Sequence, residues 1–385
     1  MKSNIAELKK CANCGACVNI CPVNAITVDK TGLFYQPIVD EDKCIHCHAC
    51  VNVCPIENPD DTYTPVAAWW GRHRQDDILR HSSSGGVFTA IAEYVLAHQG
   101  IVFGACFDED CQTVRIRSSQ EVSLDDLRRS KYVESLTGDT FRQVKGALRQ
   151  KQMVLFCGTP CQIAGLKHYL GGPDENLITC DFACGGLSSH GLYQTHLTSL
   201  EKKYGAIAKN VNFRPKVLGW SCYAIKIEFA NHKTYIKPAL LDPYMAGFLR
   251  KNVNTREYCY ECRFAEHHEA DLTLADFWKY SALINRPNDE KGWSLILSNT
   301  AEGTQLMEKI RDSFDMQELS LPEASYNIQP RQPSERRMLL RKEYLEACRS
   351  KGLKPAARLI GYPRGIRLLR EKFRYYRKGR KYKVK

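Results

Sequence analysis

The chain has 385 residues, 43% hydrophobic and 25% charged, the balance of a soluble globular protein with room for two or three domains. No apolar run reaches 18 residues and the N-terminus MKSNIAELKKC lacks an apolar h-region, so neither a membrane span nor a secretory signal is expected. Eighteen cysteines without an export signal point to a reducing cytoplasm and metal ligation, not disulfides. The net charge of +12 is uneven: residues 331–385 hold 20 Lys/Arg and 4 Asp/Glu, a net +16, and the other 330 residues are net −4.

The densest chemical signal comes first along the chain. Residues 11–23 read CANCGACVNICPV and residues 44–56 read CIHCHACVNVCPI, both C-x2-C-x2-C-x3-C-P, at a constant offset of 33. The shared ACVN(I/V)CP marks a duplicated structural unit. Three thiolates spaced this way wrap a tight loop around one iron–sulfur cube, and the fourth, beside a proline, reaches the other cluster. The spacing therefore predicts one [4Fe–4S] cluster on Cys11, Cys14, Cys17 and Cys54, and a second on Cys44, Cys47, Cys50 and Cys21. Structural zinc usually comes as two separated C-x2-C or C/H pairs instead. His46 and His48 are surplus as ligands, because the cysteine count is already complete. Roughly residues 5–58 resemble the two-cluster bacterial ferredoxins, so most of the chain does something else.

Residues 56–66 (IENPDDTYTPV), rich in Pro and Asp, read as a linker out of this unit. Then Arg80-His-Ser-Ser-Ser-Gly-Gly86 leads into VFTAIAEYVLAH, whose Val87, Phe88, Ile91, Ala92, Val95 and Leu96 fall on one helical face. Serines and glycines at a helix N-terminus suit a phosphate, although simple N-capping is the more frequent explanation. Residues 100–107 (GIVFGACF) predict a buried strand, and LRRSKYVES, residues 127–135, places a lysine and a tyrosine near a turn. A helix is expected over 139–152. Met153–Phe156 is a short buried strand that runs into Cys157-Gly-Thr-Pro-Cys161-Gln and a further helix, QIAGLKHYL. Leu177–Phe182 repeats the arrangement and delivers Ala-Cys184-Gly-Gly-Leu-Ser-Ser189. Loops at the carboxyl ends of strands are the usual ligand sites of α/β domains.

Residues 211–240 alternate like an exposed antiparallel hairpin. The pair in Tyr258-Cys-Tyr-Glu-Cys262 is a half-site that needs two further ligands, and Cys161 and Cys184 are its natural partners. The tail PAARLIGYPRGIRLLREKFRYYRKGRKYKVK interleaves Ile366, Leu368, Leu369, Phe373, Tyr375 and Tyr376 with arginines and lysines. A basic amphipathic segment can lie on anionic lipid or dock an acidic partner, such as an electron carrier or a catalytic subunit. Nucleic acid is less favoured, since no recognised module accompanies it.

The segments SSSGGVFTAIAEYVL, GIVFGACFD, SKYVES, LFCGTPCQIAGLK, the D-x2-CGG-x-SS loop and CYECRFAE…DLTLADFW stand in that order over roughly residues 66–300. Together they resemble the coenzyme F420 hydrogenase/dehydrogenase beta-subunit family, here preceded by a two-[4Fe–4S] ferredoxin domain. The resemblance implies a mixed α+β and α/β architecture. Its parts are a ferredoxin-like domain over 1–60, a flavin- and iron–sulfur-binding α/β domain over 66–325, and a basic amphipathic tail over 331–385. It also implies FAD and a third [4Fe–4S] cluster on Cys161, Cys184, Cys259 and Cys262, with Cys157 the second choice if Cys184 is not a ligand. Cys106, Cys111, Cys180, Cys222 and Cys348 fit inert buried thiols better.

For the flavin the resemblance nominates Ser83, Ser84, Gly85 and Gly86 at the pyrophosphate, with Lys131, Tyr132, Gly158, Thr159 and Pro160 along the rings. A lysine near N1 or O2 of the isoalloxazine would stabilise the anionic reduced flavin; otherwise Lys131 is a solvated surface lysine. His267 and His268 read as exposed histidines, with assistance to proton movement as the other option. No GxGxxG fingerprint is present, which argues against a Rossmann nicotinamide domain. The implied function is electron transfer between an organic two-electron partner (F420-like, nicotinamide or metabolite) and one-electron carriers. The alternatives are a non-catalytic relay subunit of a larger complex and a reductive enzyme of surface-polysaccharide assembly. The expected location is cytoplasmic, with a peripheral membrane contact through the tail as one option.

Overall fold

A computed structural model describes residues 4–8, 10–59, 64–278, 289–324 and 334–381. At its N-terminal end, α1 (Ala16–Ile20) and α2 (Ala49–Asn52) are the ACVN segments of the two repeats. Between them, β1 (Ile26–Asp29) pairs antiparallel with β2 (Gln36–Val39). Each repeat turns through two left-handed residues before its helix: Asn13 (φ 56°) and Gly15 (φ 87°) in the first, His46 (φ 51°) and His48 (φ 62°) in the second. The offset of 33 thus holds for the backbone as well as the cysteines. Both histidines fill left-handed positions, which Asn, Asp and His enter more readily than other side chains.

The body follows with β3 (Ala67–His73), β4 (Ile101–Phe107), β5 (Val114–Ser118), β6 (Val154–Cys157) and β7 (Leu177–Phe182). Next come β8 (Ala208–Asn212), β9 (Ala224–Phe229), β10 (Thr234–Pro238), β11 (Leu272–Asp276), β12 (Ser294–Ser298) and β13 (Phe314–Glu318). Eight of them form one mixed sheet in the order β13-β3-β12-β11-β7-β6-β4-β5, parallel across β4, β6, β7 and β11 and antiparallel outside them. Val154, Leu155 and Phe156 have no solvent exposure, as expected for a central strand covered on both faces.

The period-two alternation of these strands sends side chains to two cores. Val102, Cys106 and Leu155 pack with α3 (Val87–Ala97). Ile101, Phe103, Val154 and Phe156 pack with α4 (Thr140–Arg149) and α5 (Pro160–Leu170). Helix α5 starts where it does because Thr159 and Gln162 form a capping box and Pro160 takes the first helical position.

A smaller sheet, β10-β9-β8, packs with α6 (His190–Tyr204). The alternation of residues 211–240 does give an antiparallel hairpin, β9 with β10. It is not simply exposed, however: β8 adds a third strand, and Ile225, Ile227 and Phe229 face a buried core. Helix α7 (Ala301–Lys309) covers the other end of the main sheet through Leu306 and Met307.

The basic C-terminal region is not one appendage. Helix α8 (Glu335–Lys351) and the turns to Tyr362 place Tyr344, Leu345, Cys348, Leu353, Ile360 and Tyr362 in the core shared with α6 and β9. Only α9 (Gly365–Lys381) lies on the outside. The charge asymmetry of the sequence therefore spans a packed helix and a peripheral one.

The N-terminal unit is seated on the body by directed contacts. Arg142 of α4 donates to the carbonyls of Val18 (3.2 Å), Asn19 (2.7 Å) and Cys21 (3.0 Å) and to Asn24 Oδ1 (2.8 Å). Thr137 Oγ1 donates to the Cys14 carbonyl at 3.1 Å and Asn19 Nδ2 to that of Gly138 at 2.8 Å. Gly165 of α5 faces Cys14 so closely that a Cβ there would lie 2.9 Å from its sulfur.

Candidate metal centres

The twelve cysteines singled out by the sequence come together as three sets of four. Cys11, Cys14, Cys17 and Cys54 line one cavity of about 220 Å³. Cys21, Cys44, Cys47 and Cys50 line a second of about 20 Å³, and Cys161, Cys184, Cys259 and Cys262 a third of about 20 Å³. In the first two sets the fourth thiol crosses over from the other repeat, as the C-x3-C-P spacing requires. In the third, Cys161 stands at the second position of α5, Cys184 follows β7, Cys259 lies within a helical turn (Glu257–Tyr260) and Cys262 caps the next one (Arg263–Ala265). Cys157 is not in the third set; it lies near enough to Cys180 to raise that thiol. Cys106, Cys111, Cys180, Cys222 and Cys348 are all buried outside the three sets.

These sets fit iron–sulfur ligation. Backbone N–H groups are aimed at thiol sulfurs in every one: Asn13 to Cys11 (3.3 Å), Ala25 to Cys21 (3.2 Å), Gly186 to Cys184 (3.4 Å) and Leu187 to Cys259 (3.3 Å). Such donors stabilise sulfur carrying negative charge and tune a bound cluster. Burial first, with neighbouring thiolates adding to it, pushes Cys14, Cys17, Cys161 and Cys262 well above the usual thiol range. Four thiolates gathered in one cavity need positive charge at its centre. His46 Nδ1 lies 3.9 Å from Cys44 Sγ, and Glu41, Cys44 and His46 bring ligand atoms within 4.8 Å of one another at the surface. That trio borrows a thiol from a complete set, and both histidines already have a backbone role.

The sets are contiguous. Ala12 lines both the first and the third cavity, and the Cys161 thiol faces the Ala12 carbonyl at 3.7 Å. Cys17 packs in the same apolar cluster as Cys21, Cys44 and Cys50 of the second set. The row therefore runs from the interior third set through the first to the second, where Cys47 and Ile45 are exposed.

A buried network missing from the sequence reading braces the junction. Glu134, without solvent exposure, accepts from Tyr35 N–H (2.9 Å), His190 Nδ1 (2.8 Å) and Arg256 Nη2 (3.0 Å). Arg256 also donates to the carbonyls of Tyr35 and Cys11, and Tyr35 stacks on His190 at 3.7 Å between ring centroids. Burial opposes the Arg256 charge; Glu134, with smaller help from Cys11 and Cys259, outweighs it. These residues are scattered over four segments, and no local pattern links them.

The nine flavin nominees divide. Ser84 Oγ donates to the Trp293 carbonyl (2.7 Å), Ser83 Oγ accepts from Ser130 N–H (2.9 Å), and Gly85 N–H donates to Ser294 Oγ (2.9 Å). A Cβ on Gly85 would lie 2.6 Å from the Gly71 carbonyl oxygen, so the chain's own packing requires that glycine. Gly86 (φ 84°) caps α3. Gly158 N–H donates to the Cys180 carbonyl, Thr159 caps α5, and Pro160 lines the third thiol cavity.

Tyr132 is packed against Phe213 and Phe248. Lys131 is no solvated surface lysine: its ammonium donates to the carbonyls of Asp126 (2.7 Å) and Arg128 (2.5 Å), and burial lowers it to about 7. Cys106 and Cys157 are near enough to oppose that shift.

Lys216, absent from the nominees, is pulled down to about 7 by burial as well, and it donates to the carbonyls of Leu79, Ser84 and Lys291. It is thereby stapled to the Ser-Gly loop. His268, expected to be exposed, is buried with its Nδ1 2.8 Å from Asp181 Oδ2, while His267 is half-buried. Its neighbour Phe264 belongs to the apolar wall of the third cavity, so the chain that carries Cys259 and Cys262 turns inward there.

Comparisons with known proteins bear on the same segments. Residues 10–58 match the family model described as a 4Fe-4S dicluster domain. Residues 151–322 match the model for the C terminus of the coenzyme F420 hydrogenase/dehydrogenase beta subunit, and all four cysteines of the third set lie inside this range. A chain of the xenon-derivatised F420-reducing [NiFe] hydrogenase complex from Methanosarcina barkeri is similar at 15% identity. That likeness covers 77% of this chain and 91% of that one with a TM-score of 0.43. No curated protein matches the chain.

Proposed function

From a chain that joins a 4Fe-4S dicluster domain to the C-terminal domain of the coenzyme F420 hydrogenase/dehydrogenase beta-subunit family, we propose an iron–sulfur flavoprotein oxidoreductase. It moves electrons between an organic two-electron partner (F420-like, nicotinamide or another metabolite) and a one-electron carrier. The observation that carries the reading is the unbroken row of three four-thiol sets from the interior of the body to an exposed rim. Three such sets in contact have little structural purpose in a domain whose cores are already apolar; their sense is conduction. Clusters bound there carry single electrons, and FAD, when bound, exchanges these with a two-electron substrate.

The chain's own residues divide the labour. Thiols and backbone N–H groups hold the clusters, and Glu134 fixes the Arg256 guanidinium near Cys11 of the first set and Cys259 of the third. Lys131, near-neutral beside Cys157, is the residue that would face a reduced flavin and supply or withhold a proton. The exposed rim at Ile45 and Cys47 is the side from which a carrier protein or catalytic partner reaches the second set.

A relay subunit without its own flavin is the second reading. It is favoured by the Ser83–Gly86 loop, whose polar groups are partnered within the chain. Anaerobic iron, sulfide and flavin analysis separates the two, followed by dye reduction with F420H2, NAD(P)H and candidate metabolites. The flavoprotein reading expects about twelve irons and one flavin. About twelve irons with no flavin would leave the relay; about eight irons would remove the third cluster.

A further inference from the structure

Helix α9 has three faces. Leu368, Glu371, Lys372 and Tyr375 are half-buried toward the body: Tyr375 packs against Leu218, Cys222 and Ala224, and Glu371 lies 3.5 Å from Arg250. Ile366, Leu369, Phe373 and Tyr376 recur at i, i+3, i+7 and i+10 and are 70, 65, 70 and 43% exposed. Arg367, Arg370, Arg374 and Arg377 form the third stripe, all exposed. The helix is therefore already docked through a face of its own. Ile366, Leu369 and Phe373 of its apolar stripe are left over, displayed outward beside a line of guanidinium groups, while the Tyr376 hydroxyl reaches the Ile236 carbonyl at 3.5 Å.

The surroundings extend the positive side. Lys372 of α9, Lys203 at the end of α6 and Lys354 lie around Lys237 on β10, close enough for their charges to act on it. Glu371 is the single acid between residues 364 and 381, and it is turned to the body. It also meets Arg367 at 3.4 Å, so it offsets one arginine of the stripe and leaves Arg370, Arg374 and Arg377 with no acidic partner on α9.

We infer that α9 is an interfacial helix that holds this protein flat against an anionic lipid surface. The inference deepens the partner side of the function proposed above and is independent of which substrate the flavin domain uses. A bilayer matches what α9 presents. Its headgroup region accepts an apolar stripe and a cationic stripe side by side along a helix that lies in the plane, while anionic lipid rewards each lysine and arginine near the surface. At ~1.5 Å per residue the helix is about 25 Å long, and it cannot span, since no described helix is apolar enough to cross a membrane. A protein partner would bury guanidinium groups against matching carboxylates at fixed points; a continuous stripe with large, fully displayed Phe373 and Ile366 side chains suits a fluid surface better.

The test uses full-length, anaerobically reconstituted protein. Co-sedimentation is measured with phosphatidylcholine vesicles and with mixed phosphatidylcholine–phosphatidylglycerol vesicles, at low and high salt. Binding to the mixed vesicles alone, weakened by salt, is expected. The double variant Leu369→Asp/Phe373→Asp should lose about tenfold or more in partitioning, and Arg370→Gln/Arg374→Gln several-fold. Both pairs are exposed, and iron content and dithionite bleaching confirm that each variant is intact. Equal sedimentation of wild type and both variants overturns the inference. So does an absence of vesicle binding by intact wild type, and slower reduction of an acidic ferredoxin by the variants would then assign the face to a protein. Because cluster content is read separately, loss of vesicle binding with the clusters present sinks only this inference and not the electron-transfer reading.

Discussion

The two cysteine repeats are nearly the same sequence in opposite surroundings. In the first, Gly15 lies against Thr137, Cys14 against Gly165, and the cavity is partly walled by Leu136, Thr137 and Gly138 of the body. In the second, Ile45, His46 and Cys47 are exposed, and the equivalent of Gly15 is His48. Duplication supplied two equivalent cluster loops, and docking on the body made them inequivalent. One became the inner contact to the third thiol set and the other the rim. A row with a buried end and an exposed end gives direction in space to carriers that, as isolated ferredoxin units, would have none.

Breaking the inner repeat should therefore cost more than breaking the outer. Cys14→Ala and Cys47→Ala each remove a proposed ligand and are expected to lose one cluster, about four irons. Only Cys14→Ala should also loosen residues 10–58 from the body, read as faster limited proteolysis in that segment. Equal proteolysis of the two variants would dissolve the distinction between inner and rim repeats.

The brace behind the inner repeat comes next. Glu134→Ala leaves Arg256 buried without its partner, and breaking such a pair typically costs about 3–5 kcal/mol. Anaerobic denaturant unfolding measures it. Glu134→Leu/Arg256→Met, which removes both charges, should recover part of the loss. If the double variant is no better than the single, the penalty is not the orphaned arginine and the electrostatic account of the brace fails.

A smaller effect separates the left-handed positions. Gly15→Ala sets a Cβ 2.6 Å from the Thr137 Cβ at φ 87°, which combines overpacking with a conformation few side chains adopt, together about 2–3 kcal/mol. His48 already carries a Cβ in the same left-handed turn without such a wall, so His48→Asn, a side chain also suited to that conformation, should cost less than Gly15→Ala. Comparable losses at 15 and 48 would mean that the loop, not its docking, sets the requirement for glycine.

The same contrast explains what could be read from the sequence. Both repeats announce their thiol sets because chelation is local: three thiols meant for one cluster must sit on one loop, so their spacing is written in eleven residues. The strands β4, β6 and β7 and the helices after them were legible for a similar reason, as short apolar runs bounded by glycine and proline. The third thiol set is harder, since Cys161, Cys184 and the Cys259/Cys262 pair meet only in space. Grouping them needed both the half-site argument and the family resemblance. Glu134, Arg256, Lys216 and the burial of His268 left no periodic trace, because each is a lone residue satisfied by partners far along the chain. The packing of α8 was hidden by its charge: Arg341 is 9% exposed yet buried productively, donating to the Thr255 carbonyl at 3.0 Å.

The smallest expected effect concerns titration on the buried side. Lys131 and Lys216 both fall to about 7 through burial, whereas an unfolded lysine titrates near 10.4. Between those values the unfolded chain binds more protons than the folded one, so this contribution to stability rises with pH from about 7 toward 10.4; below 7 both states are protonated and the burial penalty is present in full. Lys131→Met removes one of the two groups. Its carbonyl partners, Asp126 and Arg128, lie in a partly exposed turn where water can replace the ammonium. The variant should therefore show a shallower rise in denaturant midpoint between pH 7 and 9 than wild type, with the gap largest at the acid end. Parallel pH profiles would mean that Lys131 keeps an ordinary lysine titration, and a proton-handling role beside Cys157 would go with it.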